Sequence, residues 1–154
     1  MNTNHTLYLL VGSLILAISA FAQEKEIKRS ELPPAVEKTV VERSKGATIR
    51  GFSKDKENGQ IAYEAEMLVN GHSRDLLIDA NGTLLEIEEQ VDLQALPADV
   101  KAGLQAKAGK GKIIKVESIT KKDKMVAYEA KVVRDGKKSE IQVGPDGKSL
   151  DHEE

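Results

Sequence analysis

The chain of 154 residues carries 23 Lys plus Arg against 25 Asp plus Glu, a formal charge of -2, and has neither cysteine nor tryptophan. That balance gives no electrostatic reason to expect nucleic acid or an anionic membrane as partner. The lack of thiols excludes disulfides, cysteine nucleophiles, Cys-ligated zinc and iron–sulfur clusters.

In chain order, the first feature is an apolar run from Leu7 to Ile18, followed by Ala20-Phe21-Ala22. The sequence turns polar at once with Gln23-Glu24-Lys25-Glu26. A membrane-spanning helix needs about 20 apolar residues, so this shorter run with its small-x-small end predicts a cleaved signal peptide over 1–22. An uncleaved anchor is the alternative. The expected destination is the periplasm or the secreted fraction, with no membrane association once the leader is gone. Residues 23–30 read as a polar linker.

Two segments, 31–89 and 90–154, then share a succession of motifs. Leu32-Pro33-Pro34-Ala35-Val36 recurs as Leu96-Pro97-Ala98-Asp99-Val100, and Ala62-Tyr63-Glu64-Ala65 as Ala127-Tyr128-Glu129-Ala130. Asn70-Gly71 is matched by Asp135-Gly136, and Asn81-Gly82 by Asp146-Gly147. Ordered matches at a nearly constant offset point to an internal duplication.

Each segment opens with a helix signal. Pro33 and Pro97 fall where the first helical turn tolerates a missing N–H. Val36 and Val40, and likewise Val100 and Leu104, lie one turn apart as a narrow apolar stripe. Gly46 and Gly109 are expected to end the two helices as left-handed caps. Gly103, inside the second, weakens it by about 1 kcal/mol relative to Ala.

Strand signals follow. Ile61, Tyr63, Ala65 and Met67 alternate with Ala62, Glu64, Glu66 and Leu68, a period of two with one apolar face. Val126, Tyr128, Ala130 and Val132 repeat the pattern against Ala127, Glu129, Lys131 and Val133. Asn70-Gly71 and Asp135-Gly136 are type I′ hairpin signals, since both central residues need positive φ. With short strands at 49–52 and 113–116, and last strands through Leu85 and Ile87 or Leu150 and His152, each segment reads as a helix followed by a four-stranded antiparallel meander. The fold class expected is therefore α+β, two tandem repeats with each helix packed on its sheet. Units of about 60 residues without staples are marginal, so the two should share a core or continue one sheet. Tyr63 and Tyr128 should occupy equivalent surroundings.

The order of Leu-Pro helix start, Tyr-Glu-Ala strand, Asn/Asp-Gly hairpin and Pro-Asp-Gly turn resembles the PepSY-like domains. It is most similar to their beta-lactamase-inhibitor-like subgroup, over both segments. That resemblance implies an exported binder or inhibitor of another extracytoplasmic protein, and it brings no catalytic motif.

The residues themselves supply little chemistry. His72 lies in a hairpin turn and His152 near the C-terminus, neither in a metal-ligand spacing. Asp79-Ala80-Asn81-Gly82 and Pro145-Asp146-Gly147 hint at calcium loops without the full ligand array. No nucleophile, base and orienting group come together, so the chain is expected to be no enzyme, with no cofactor and no metal-ligating residue assigned. The surface expected to meet a partner is the sheet face turned away from the helices, carrying Leu68, Leu77, Glu64, Glu66, Glu129, Lys131 and Val133. A periplasmic protein binding a small ligand or a cation such as calcium is the alternative expectation.

Overall fold

A computed structural model describes residues 25–57 and 59–152, so the expected signal peptide over 1–22 lies outside the described residues. The strands are β1 (Lys25–Glu26), β2 (Thr48–Glu57), β3 (Gln60–Val69), β4 (His72–Asp79), β5 (Leu84–Gln90), β6 (Lys112–Lys121), β7 (Lys124–Arg134) and β8 (Lys137–Val143). The two α-helices are α1 (Pro34–Arg43) and α2 (Ala98–Ala108). All eight strands join in one antiparallel sheet whose spatial order follows the chain from β1 to β8.

This corrects the expected fold class of two tandem four-stranded meanders. The first meander, β2 to β5, does form, but β5 also pairs with β6, through Glu86↔Lys121, Ile87↔Thr120 and Glu88↔Ile119. The sheet therefore runs unbroken across the presumed boundary at 89/90. The expected last strand through Leu150 and His152 does not exist, because residues 144–152 form turns and irregular backbone. The reason is local chemistry combined with position. Leu84, Leu85 and Ile87 give β5 apolar side chains to bury between two neighbours, whereas Lys148-Ser149-Leu150-Asp151-His152 offers one. At the other end, residues expected to be linker supply β1, which pairs with β2 through Lys25↔Lys54 and Glu26↔Ser53.

The helix positions follow the sequence closely. Pro33 and Pro97 sit one residue outside their helices, as N-caps with extended ψ of 146° and 144°. The second helix stops at Gly109, with φ 58°, and the first at Arg43, short of Gly46. Val36, Val40, Val100 and Leu104 are each fully buried.

Although the sheet is continuous, the apolar core divides in two. Leu32, Val36 and Val40 pack with Phe52, Ala65, Met67, Leu76 and Ile78, and Tyr63 flanks that cluster. Val100, Leu104 and Ala108 pack with Val116, Ala130, Val132 and Val143, flanked by Tyr128. The two tyrosines thus border matching but separate cores.

Positive φ at Asn70 (52°) with Gly71 (86°), and at Asp135 (51°) with Gly136 (75°), marks the anticipated primed turns. A third such turn, Lys122 (50°) with Asp123 (59°), joins β6 to β7 without the glycine that would have announced it. A Cβ on Gly71 would touch nothing within 4 Å. Gly71→Ala should therefore lose only the left-handed backbone cost, about 1 kcal/mol, read as a small drop in urea midpoint with an unchanged m-value.

Candidate functional site

Strand alternation sorts the sheet into a helix-covered face and an open one. Tyr63, Ala65 and Met67 of β3 face the helices, so their neighbours Ala62, Glu64, Glu66 and Leu68 face the other way. Register then carries this open face across the sheet. Glu64 stands opposite Leu77, Glu66 opposite Asp75, Asp75 opposite Glu88, and Leu77 opposite Glu86. Beyond the β5–β6 junction the face continues with Glu117 opposite Glu129, Lys115 opposite Lys131, and Glu129 opposite Gln142.

All seven residues expected for a partner surface lie on this face, but they do not make one apolar patch. Leu68 pairs with Ser73, while Leu77 pairs with Glu64 four residues farther along β3. At about 3.3 Å per residue that separation is about 13 Å, and the Glu66–Asp75 pair lies between. Val133, opposite Lys138, sits on the far side of the sheet near its β8 edge. What joins the expected residues is charge, not hydrophobicity.

The centre of the face holds deeply buried carboxylates, of which the sequence singled out Glu129 but neither Glu86 nor Glu117. Glu117 is 1% exposed, and Glu86 and Glu129 are each 9% exposed. Charged side chains are seldom buried without partners, and most of these have them. Lys115 Nζ reaches Glu117 Oε1 at 2.5 Å, and Lys121 Nζ reaches Glu86 Oε2 at 3.4 Å. Gln142 Nε2 donates to Glu129 Oε2 at 3.0 Å, and Ser53 Oγ donates to Glu64 Oε2 at 3.1 Å. Lys131 Nζ stands between Glu140 Oε1 at 3.5 Å and Glu117 Oε2 at 3.6 Å.

Acids nonetheless outnumber bases at the centre, and the carboxyls respond. Burial raises the Asp75 carboxyl to about 6, Lys115 opposing and Glu117 and Glu66 reinforcing. Burial, then repulsion from Glu129, Glu117, Glu86 and Asp75, lifts Glu88 to about 8. Glu129 is also raised by burial, against the donated hydrogen bond from Gln142. Burial works to lower Lys131, but Glu117, Glu140, Glu129 and Glu88 together hold its ammonium well above the usual range. Alternation along β5 and β6 could have placed Glu86, Glu88 and Glu117 outward. Only the β5–β6 pairing brings them together.

The turns that hinted at calcium are explained internally. Asp79 Oδ1 accepts from the backbone N–H of Asn81 and of Thr83, both at 2.8 Å. Those donors hold its carboxyl below the ordinary value. Asp146 Oδ1 likewise accepts from Lys148 N at 3.1 Å. Both carboxylates serve as turn caps. His72 is an exposed residue opening β4 and lines a groove of about 320 Å³ with Gln90, Val91, Leu93, Ile113 and Lys115. His152 is exposed and belongs to no strand.

No helix among the described residues is long and apolar enough to cross a membrane. No protein-family model matches the sequence, and no curated protein matches it either. Solved structures do resemble the fold. A candidate periplasmic protein from Bacteroides eggerthii matches with a TM-score of 0.62 at 17% identity, over 77% of this chain and 85% of its own. A DUF2874 family protein from Bacteroides ovatus matches with a TM-score of 0.59 at 19% identity, over 77% of this chain and 84% of its own. A BLIP-like protein from Bacteroides fragilis matches with a TM-score of 0.55 at 18% identity, over 75% of this chain and 81% of its own. The continuous sheet with its two helices on one face is thus a BLIP-like fold.

Proposed function

We propose that the chain is an exported, non-enzymatic binding module that docks a basic surface of another extracytoplasmic protein on its open sheet face. The observation that carries this reading is the excess of partly desolvated carboxylates there, Asp75, Glu88 and Glu129 all being raised. A face that repels itself in isolation gains when a complementary cationic surface covers it, and complementary potentials also speed encounter. Export is supported by the leader-like start of the sequence and by the periplasmic description of a protein with the same fold. The recurrence of Ala62-Tyr63-Glu64-Ala65 at 127–130 supports a PepSY-like ancestry with duplicated motifs set within the one sheet. Inhibition of an enzyme, which the resemblance to beta-lactamase-inhibitor-like domains implies, belongs to this reading as one outcome.

The test is capture of a stoichiometric partner from a periplasmic extract, with a variant reversed at two exposed acids of the face, Glu66→Lys with Glu140→Lys. Wild type should hold a partner that about 0.5 M salt releases, since surface charge pairs are screened within about 4 Å at that strength. The reversed variant should hold at least tenfold less. Equal capture by both proteins, or none by wild type, would remove the reading.

A further inference from the structure

The same face contains a feature that a protein partner does not explain. Asp75 of β4 and Glu88 of β5 are directly paired, and Glu117 of β6 lies diagonally across the next pairing, opposite Gln90. One carboxylate oxygen from each of the three lies within 4.8 Å of the other two. An ion about 2.4 Å from each oxygen can be shared across such separations, and three protein carboxylates suit calcium better than magnesium, which keeps most of its waters. A second observation is independent of that spacing. Glu117 is 1% exposed, yet its Oε2 has no hydrogen-bond partner among the described residues. Lys131 Nζ is 3.6 Å from that oxygen, beyond hydrogen-bonding length, while Lys115 Nζ pairs with the other oxygen, Oε1.

We propose that Asp75, Glu88 and Glu117 form a site for a hard divalent cation of calcium's size. The ligand set is all carboxylate, without histidine or thiol, which selects calcium-like ions over zinc or copper. Lys115 and Lys131 occupy the surroundings when no ion is bound. Both are long and flexible, and Lys131 already has Glu140 at 3.5 Å as another partner, so the ammonium groups can withdraw as the ion enters. Water completes the shell. Competition from two lysines sets the affinity in the range of extracellular calcium modules, about 0.1–1 mM.

The inference shares Asp75 and Glu88 with the docking reading but is tested apart from it, because the isolated protein suffices. The chain is stripped with chelator at pH 7.5, and thermal unfolding is followed by circular dichroism as calcium chloride is added. Wild type should gain about 4 °C or more by 10 mM calcium, by mass action on the folded state, with a smaller gain from magnesium. Glu88→Gln and Asp75→Asn should each lose most of that rise, while Glu64→Gln, on the same face outside the cluster, should keep it. Glu117→Gln is the direct variant, and the other two keep the test sound should it misfold. No rise in wild type would overturn the proposal. So would equal rises in wild type, Glu88→Gln and Asp75→Asn, or a rise matched by sodium chloride at equal ionic strength, since those mark screening of a diffuse acidic face.

Discussion

Gly147→Ala is expected to lower stability by about 3–4 kcal/mol, read from urea denaturation, although the residue lies in an irregular segment after the last strand. Gly147 has φ +77°, and an added Cβ would stand 2.2 Å from Asp99 O, 2.4 Å from Asp99 C and 2.8 Å from Val100 N. The left-handed conformation alone costs an L-residue about 1–2 kcal/mol. Overpacking against atoms that cannot rotate away adds about 1–3 kcal/mol. The contact has another side in Gly103 of α2, where a Cβ would meet Gly147 O at 2.0 Å. Helix propensity by itself predicts that Gly103→Ala stabilises by about 1 kcal/mol. The packing predicts a net loss of about 2 kcal/mol instead. The sign of that one change decides whether the 144–147 turn is seated on the helix. Gly136→Ala, with φ +75° and nothing within 4 Å, serves as the control and should lose about 1 kcal/mol. The first half uses the same device: Gly82 lies against Ala35 O, and Thr39 Oγ1 donates to Gly82 O at 2.6 Å.

Glu88→Gln is expected to stabilise the protein in alkaline, chelated buffer by about 3 kcal/mol. The Glu88 carboxyl is raised from 4.5 to about 8 by burial and by four neighbouring acids. A raised carboxyl keeps its proton in the folded state while the unfolded chain has already lost it. The resulting stability is therefore fully present below about pH 4.5 and is lost as pH climbs towards 8. Asp75, raised to about 6, adds to the same slope over its lower half. At about 1.4 kcal/mol per pKa unit, and with partial solvent screening of the side chain, a loss of about 3 kcal/mol falls to Glu88. Unfolding free energies of wild type should decline from pH 5 to pH 8.5. In Glu88→Gln the decline should shrink to the part due to Asp75 and Glu129. Parallel profiles for the two proteins would mean that Glu88 is neither desolvated nor crowded.

Much of the local structure was legible because it depends on neighbours along the chain. Val36, Val40, Val100 and Leu104 at helical spacing gave the buried helix stripes, and Asn70-Gly71 and Asp135-Gly136 gave the hairpins. Strand length was less legible. The strands expected over 49–52 and 113–116 run to Glu57 and Lys121, because paired neighbours can hold charged residues in a ladder that propensity alone would end. The missing last strand was only partly legible: Asp146-Gly147 is as good a turn in sequence as Asn81-Gly82, and only the sparse apolar content of 148–152 set the two apart. What differs in the fold is that β5 finds a partner on each side.

The candidate site divides along the same line. Alternation in sequence determines that Glu64, Glu66, Glu129 and Lys131 point away from the helices, because successive strand side chains must take opposite faces. It cannot say that Glu88 meets Asp75 or that Glu117 is stripped of water. Those facts follow from register between β4 and β5 and from the pairing of β5 with β6 across a connection that contains α2. Sequence periodicity fixes a side chain's direction within its own strand. Only the closed hydrogen-bond ladder of the folded sheet fixes its neighbours, and with them its charge.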